Sequence, residues 1–332
     1  MSLKKVKYSI LELAPVQLDK SIPEVFESTL KLAQEVESFG YSRFWLAEHH
    51  NMKSIASAAT PVLIGHIAQG TTKIRVGSGG IMLPNHSPLI VAEQFGTLGH
   101  LYPNRIDLGL GRAPGTDQVT AHAIRSDRMQ SVHRFPDEIQ KIQSFFSSDN
   151  EDQAVRAYVA EGVEMPLYIL GSSTDSAHVA AALGLPYVFA SHFAPNQLMQ
   201  ALAIYRSEFK PSNQLKEPYA IAGINVIAAD TEKEAKRIST SMIRMAVSVM
   251  TGKIDYVQPP TDFDGELKEI FEHPAFQSKF KYAFIGDKDQ VKAKTEQFIA
   301  ETGVDELIVA TQIYDSEDRI KSYKLFSEIM NS

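Results

Sequence analysis

An acid followed by two histidines is the part of the sequence best suited to acid–base chemistry. Glu48, His49 and His50 follow an apolar run at residues 44–47 that reads as a strand. An imidazole gains and loses a proton near neutral pH, so either histidine could act as a general acid or base. Side chains next to each other at a strand end diverge, and only one histidine is therefore expected to face a site. The alternative is a histidine that hydrogen bonds inside the core. We predict no metal site, because the i, i+4 histidine pairing of a helical zinc motif is missing.

A second candidate site combines a cation with the start of a helix. Ser172, Ser173 and Ser176 lie in a polar run that follows one predicted strand and opens a helix, and Arg112 follows another predicted strand. Unpaired N–H groups and the helix dipole attract anions at such a terminus, and a guanidinium binds phosphate through a planar fork. The pattern therefore predicts a clamp for one phosphate. The simpler interpretation is a serine-rich helix cap, and Asp175 counts mildly against a phosphate.

Two adjacent glycines interrupt a further apolar run at residues 74–83. Gly79 and Gly80 lie where side chains would normally help a strand to pack. Glycine inside a strand weakens pairing, and it marks either a bulge or a close approach of the backbone to a ligand. The second interpretation includes a cis peptide bond, which a residue other than proline adopts only where its surroundings impose it.

The elements that must position these residues alternate between strand and helix. Eight apolar runs read as strands, with helical patterns between them, at residues 8–13, 44–47, 74–83, 106–110, 167–170, 187–190, 219–228 and 306–311. This alternation predicts an α/β protein whose parallel strands close into a (β/α)8 TIM barrel. In that fold the chemistry lies at the carboxyl ends of the strands, where the candidates above fall. The alternative is a doubly wound open sheet, whose G-x-G-x-x-G fingerprint is half met by residues 109–114.

We predict one domain over residues 1–332, with two segments that exceed what a barrel needs. One is a loop at residues 112–127. The other is an irregular insertion at about residues 251–283, between the seventh and eighth strands, where Pro259-Pro260 and Asp264-Gly265 interrupt any regular pattern. Segments of this kind often close over a substrate, so the insertion is a candidate lid.

Composition excludes several classes of function. The chain is 44% hydrophobic and 22% charged, which is ordinary for a globular protein. Its net charge of -7 argues against a nucleic-acid partner, because phosphate binding needs clustered Lys and Arg. No apolar run reaches the ~18 residues of a membrane span. The sequence contains no cysteine, which excludes disulfides and cysteine nucleophiles. These features predict a cytoplasmic protein without nucleic-acid or membrane partners.

Taken in order, these motifs resemble one enzyme family, the bacterial luciferase-like flavin-dependent monooxygenases, and within it the non-luminescent single-chain oxidoreductases. The matching segments cover most of the barrel and are residues 45–51 (WLAEHHN), 76–84 (VGSGGIMLP), 92–94 (AEQ), 105–112 (RIDLGLGR) and 170–173 (LGSS). The resemblance implies a TIM barrel that binds FMN at its mouth. It places a cis peptide beneath the flavin ring at Gly79-Gly80. The residues that it implies for the site are a Glu48-His49-His50 motif whose first histidine is catalytic, and a phosphate site made of Arg112, Ser172, Ser173 and Ser176.

The resemblance also implies an activity. Reduced FMN, supplied by a separate flavin reductase, would react with O2 to give a flavin hydroperoxide that transfers one oxygen to a small organic substrate, with His49 handling protons. Gly111 stands where the luciferase catalytic subunit has a reactive cysteine, so light emission is not implied. The family suggests a homodimer. Two alternatives stay open: a deazaflavin-dependent hydride-transfer oxidoreductase, whose cofactor phosphate the same residues could hold, and a non-catalytic flavin-binding partner subunit.

Overall fold

Eight parallel strand positions close into a barrel in the computed structural model, which describes residues 3–332 apart from the side chain of Arg128. The strands are β1 (Lys7–Glu12), β2 (Arg43–Leu46), β3 (Arg75–Ser78), β4 (Ile81–Met82), β5 (Ile106–Gly111), β6 (Leu167–Gly171), β7 (Tyr187–Phe189), β8 (Ala220–Ala228), β9 (Ala283–Gly286) and β10 (Glu306–Ala310). The ring closes because β10 pairs with both β8 and β1. β3 and β4 share one barrel position, since both pair with β5 on either side of Gly79-Gly80. The predicted TIM barrel is confirmed.

Helices connect successive strands, and their ends follow from local sequence. They are α1 (Ile22–Ser38), α2 (Thr60–Gly70), α3 (Pro88–Leu101), α4 (Gln118–Ile124), α5 (Arg128–His133), α6 (Phe135–Phe146), α7 (Thr174–Leu183), α8 (Leu198–Glu208), α9 (Glu232–Met250), α10 (Gly265–Glu272), α11 (Pro274–Lys279), α12 (Lys288–Thr302) and α13 (Ser316–Met330). Ser21 and Glu24 form a reciprocal capping box at the start of α1. α7 ends where Gly184 adopts a left-handed conformation, with φ of 62°.

The barrel interior is closed at the amino ends of its strands. Arg43, which begins β2, is 7% exposed and donates hydrogen bonds to Asp107 (2.7 Å from Nη1) and to Glu306 (3.0 Å from Nε). Paired charges of this kind tolerate burial, whereas either partner alone would not. Above this ion cluster lies an apolar layer made of Leu11, Trp45, Ala47, Tyr168, Val188, Ile221 and Ile308. The two layers fill the lower barrel, so a ligand can enter only from the carboxyl ends of the strands.

Both segments beyond the barrel contain regular structure. Residues 251–283 form α10 and α11 and lead into β9, which pairs with the carboxyl half of β8. The prediction that this insertion is irregular is therefore wrong for residues 265–279, whereas residues 251–264 contain no helix or strand. α10 buries no residue, and α11 buries only Phe276. The loop at residues 112–127 contains α4. Within residues 3–332, no helix has the length and apolar character needed to cross a bilayer.

Candidate active site

A cavity of about 500 Å³ opens at the carboxyl end of the barrel. This volume falls within the ~300–1,000 Å³ typical of ligand sites. The barrel brings most of the predicted site residues to its wall, namely Glu48, His49, Gly79, Arg112, Ser172, Ser173 and Ser176. His50 and Gly80 lie behind this lining and contact residues that form it.

Glu48 is a buried acceptor at the centre of a hydrogen-bond cluster. Its side chain is 1% exposed and accepts hydrogen bonds from Nε2 of His50 (2.9 Å) and Nε2 of His86 (2.9 Å). The backbone N–H of Met82 (3.0 Å) and Nδ2 of Asn85 (3.3 Å) donate to the same carboxylate. Burial alone would raise the pKa of Glu48, but the hydrogen bonds from the two histidines outweigh it and lower this pKa to about 2. The carboxylate is ionised at neutral pH, and both histidines must therefore hold their proton on Nε2.

His49 turns the other way, into the cavity. Its Nδ1 lies 3.2 Å from the carbonyl oxygen of Gly115. A carbonyl can only accept, so Nδ1 carries the proton and Nε2 of the neutral ring carries the lone pair. Burial lowers the pKa of His49, and the hydrogen bond to Gly115 and the charge of Glu48 oppose this effect without cancelling it. The ring is therefore neutral at pH 7 and is able to accept a proton at Nε2.

The peptide bond between Gly79 and Gly80 is cis, and neither residue has room for a side chain. A Cβ atom on Gly79 would lie 2.6 Å from Cδ1 of Leu11 and 3.2 Å from Cβ of Trp45. A Cβ atom on Gly80 would lie 2.8 Å from the carbonyl oxygen of Gly109. Gly79 thus presents bare backbone to the cavity, and Gly80 packs against β5.

Arg112 meets the first turn of α7 at the rim of the cavity. Gly111 at the end of β5 pairs with Leu170 in β6, so the loops that follow these strands lie side by side. Nη2 of Arg112 lies 2.8 Å from Oδ2 of Asp175, and their side chains are 42% and 62% exposed. An ion pair this exposed adds little stability, so a ligand anion can replace the carboxylate at small cost.

The three predicted serines divide into two groups. Ser172 and Ser173 line the rim, where Ser173 is the N-cap residue of α7. Ser176 is 8% exposed; its hydroxyl donates to the carbonyl oxygen of Ser173 (2.9 Å) and lies 3.1 Å from the hydroxyl of Tyr187. A Cβ atom on Gly171 would overlap this hydroxyl. Ser176 therefore holds the start of α7 from behind, although part of it reaches the cavity wall.

Three polar residues join the site without having been assigned a role from sequence. His86 follows β4 and contacts Glu48 from 38 positions along the chain. His192 and Asn225 line the cavity from the loop after β7 and from β8. Two features of the sequence could have indicated them: a histidine, His192, beside a strand end, and one polar residue, Asn225, in the apolar run AIAGINVIA at residues 220–228.

The insertion reaches the cavity on the side opposite Gly79. Its contribution is Lys279 and Phe280, at the end of α11, and α9 adds Met245, Ala246 and Val249. This wall is apolar apart from the lysine. It comes from one helix and one connecting segment that lie outside the ring of strands.

Comparison with known proteins gives a consistent answer. A family model described as luciferase-like monooxygenase matches residues 6–306. A protein named luciferase-like monooxygenase from Escherichia coli K12 is 45% identical over 99% of this chain and 98% of its own length. The N-acetyl-S-alkylcysteine monooxygenase of Bacillus subtilis is 31% identical over 97% of this chain and 98% of its own length. The crystal structure of apo-MsnO8 superimposes with a TM-score of 0.90 at 33% identity, covering 98% of both chains.

More distant structures share the fold and bind two kinds of cofactor. The oxygenating constituent of 3,6-diketocamphane monooxygenase from Pseudomonas putida, solved in complex with FMN, has a TM-score of 0.70 at 16% identity, covering 98% of this chain and 97% of its own. An F420-dependent secondary alcohol dehydrogenase has a TM-score of 0.68 at 17% identity, covering 96% of this chain and 97% of its own. Proteins of this fold thus bind either a flavin or the deazaflavin F420. On the match to the family model and to these relatives, the chain belongs to the luciferase-like monooxygenase family.

Proposed function

We propose that this protein is a monooxygenase that uses reduced FMN and O2 to oxidise a small organic substrate. The observation that carries the proposal is the meeting of Arg112 with the first turn of α7 at the rim of a cavity whose wall includes Gly79 and His49. A guanidinium beside a helix N-terminus suits a doubly negative phosphate, and bare backbone suits a flat ring that must approach closely.

The residues fit FMN on grounds independent of the relatives. The Arg112–Asp175 contact is exposed and exchangeable, so an incoming phosphate would release the carboxylate and take the guanidinium. Ser172 and Ser173 would contribute hydroxyl and backbone donors at the same place. Gly79 lines the cavity without a side chain, so a flat ring could lie against its backbone. The flavin supplies the activation of O2, and the protein supplies binding, orientation and proton transfer.

We propose that His49 is the catalytic residue and that Glu48 and His50 position it. Nε2 of neutral His49 carries a lone pair beside the cavity, so it can accept a proton from the reacting groups and later return it. Glu48 is saturated by four donors and has a pKa of about 2, so it cannot serve as a proton carrier near neutral pH. Its task is to fix Met82 and the loop that carries His49.

The insertion would act as a lid that excludes water from the cavity. Phe280 and Lys279 already line the wall, and closing an apolar surface over the site removes the solvent that competes with the substrate. A separate flavin reductase as the source of reduced FMN, a homodimeric state and a cytoplasmic location stay predictions from the family resemblance.

Two measurements test the proposal. Titration of flavin fluorescence should show that Arg112→Met weakens FMN binding by about 10- to 100-fold, the loss expected for a charged hydrogen-bond partner, and leaves riboflavin binding unchanged. Arg134→Met, which removes an exposed arginine outside the cavity lining, is the control. Equal losses for FMN and riboflavin would contradict the phosphate site.

The second measurement separates the two cofactor chemistries. Photoreduced FMN and reduced F420 are each mixed with the protein, a substrate panel and ¹⁸O2. Incorporation of ¹⁸O into a product with FMN supports the monooxygenase. Oxygen-independent turnover with F420 alone would favour the hydride-transfer alternative, and flavin binding with no product from any substrate would favour a non-catalytic partner subunit.

A further inference from the structure

Strand β8 contributes one polar side chain, Asn225, to the cavity lining. Alternate residues of a strand face the same side, and Ile221 of β8 belongs to the apolar layer inside the barrel, so Gly223 and Asn225 face inward too. The ring of His192 occupies the space that a side chain at Gly223 would fill, since a Cβ atom there would lie 2.4 Å from its Nδ1. Gly223 therefore lets the imidazole pack under Asn225, at the cavity floor.

The amide of Asn225 has a fixed orientation and one unsatisfied atom. Its Nδ2 donates to the carbonyl oxygen of His192 at 2.6 Å, and because a carbonyl only accepts, the other atom must be the oxygen. Asn225 is 3% exposed, and its Oδ1 has no hydrogen-bond partner among residues 3–332. Nδ1 of His192 is likewise buried without a partner in that part of the chain. Buried polar atoms are costly to leave unpaired, and both residues line the cavity.

The pair formed by Asn225 and His192 is neutral at pH 7. Burial lowers the pKa of His192 to about 4, with a further contribution from nearby His49, so the imidazole is uncharged at pH 7. The charged lining residues are Glu48, Arg112 and Lys279, which come from the β2 and β5 loops and from the insertion. A neutral polar group would therefore be accepted at this place at lower cost than an ion.

The pair also lies in the half of the cavity that the cofactor does not need. Under the proposed function, the flavin uses groups that follow β3, β5 and β6. The wall from β7, β8 and β10 then belongs to the substrate, and its lining includes apolar Val188 and Ile308 and one further amide, Gln312.

We propose that Asn225, supported by His192, is the substrate-recognition residue of this site, and that the substrate carries a neutral hydrogen-bond donor, an amide N–H or a hydroxyl, which Asn225 Oδ1 accepts. The apolar remainder of the wall packs against the hydrocarbon part of that molecule. The inference rests on the proposed function, because that function assigns the other half of the cavity to the flavin.

The test uses FMN-loaded protein and three probes that share a hexyl chain. N-hexylacetamide and 1-hexanol carry a donor, and hexyl acetate has the same shape as the amide with oxygen in place of N–H. The wild-type protein should bind one of the two donor probes about tenfold more tightly than hexyl acetate, as read from the flavin absorbance change. The probe that is preferred distinguishes an amide from a hydroxyl substrate.

Two matched variants test whether Asn225 is the residue that distinguishes the donor probes from hexyl acetate. Asn225→Leu should bind the donor probes and hexyl acetate equally, whereas Gln312→Leu, which removes another amide from the cavity lining, should keep the wild-type preference. Asn225→Ser retains a hydroxyl that can donate to the His192 carbonyl, and it replaces the leucine variant if circular dichroism shows that the latter is unfolded.

Two results would overturn the inference. One is a wild-type protein that binds all three probes with equal affinity, as expected if only water meets Asn225. The other is a loss of FMN affinity of tenfold or more in Asn225→Leu, which would assign the pair to the cofactor. An FMN titration performed first reports on the proposed function separately. If FMN does not bind, the probes are titrated calorimetrically against the protein alone, where the same preference is expected.

Discussion

Replacing Glu48 by glutamine tests whether this residue acts through structure or through chemistry. The folded state lowers the pKa of this carboxyl from 4.5 to about 2. A difference of about 2.5, at about 1.4 kcal/mol for each pKa unit, means that the ionised form gains about 3 kcal/mol from its surroundings at neutral pH. Glutamine keeps the shape but resembles the protonated acid, and its NH2 group must face at least one of the four donors. We therefore expect Glu48→Gln to lower the free energy of unfolding by about 3 kcal/mol at pH 7.

The contribution of Glu48 to the free energy of unfolding should depend on pH in one direction. Because the pKa of Glu48 is lowered by folding, its stabilising effect is complete above the unfolded-state pKa of 4.5 and is lost as the pH falls toward 2. Urea unfolding followed by circular dichroism should give the same gap between wild type and Glu48→Gln at pH 7 and pH 6, and a smaller gap at pH 4. Glu217→Gln removes an equal charge from an exposed loop and should change stability by less than about 0.5 kcal/mol.

The reasoning fails if Glu48→Gln is as stable as the wild type at pH 7 but has lost its oxygenase activity. That outcome would assign Glu48 a direct role in the reaction, and it would mean that its hydrogen bonds to His50 and His86 do not stabilise the fold.

Three further predictions follow from named contacts. His49→Phe should abolish substrate oxidation and keep FMN affinity within about threefold of wild type, because the proton-accepting imidazole is lost but the phosphate site is unchanged. Oxidation that is retained, as measured by product analysis, would show that His49 has no role in the mechanism. Gly79→Ala should destabilise the protein by about 1–3 kcal/mol, since its methyl group would meet Leu11 and Trp45. The control Gly65→Ala in α2, where the nearest neighbour of the new methyl group lies at 3.5 Å, should stabilise the protein by up to about 1 kcal/mol, and urea midpoints that move in the same direction for both variants would contradict this. Arg43→Met should cost about 3–5 kcal/mol, because Asp107 and Glu306 lose their shared cation, and an unchanged midpoint would show that the ion cluster adds no stability.

The barrel could be predicted because each of its strands corresponds to a recognisable apolar run in the sequence. The eight predicted strands all have counterparts, since parallel strands covered on both faces read as continuous apolar runs. β9 was missed because its four residues, Ala283–Gly286, begin where the segment that the sequence indicated to be irregular ends. The cis bond at Gly79-Gly80 was anticipated as one of two interpretations.

The candidate site was predictable only in part, because its hydrogen bonds join distant positions. The sequence grouped Glu48 with its neighbours His49 and His50. The structure keeps the contact with His50 and adds His86 and Asn85, which reach Glu48 only when β2 and β4 come together. Asn225 was missed for a different reason. A single polar residue in an apolar strand gives no indication of which side it faces or what it contacts until the barrel has closed.

The most direct test of the account is a crystal structure of this protein grown with FMN. We expect phosphate oxygens about 3 Å from the guanidinium of Arg112 and from donors of Ser172 or Ser173, with Asp175 released and the ring against Gly79. A flavin whose phosphate lies near β7 or β8, with the Arg112–Asp175 pair still in place, would contradict the account.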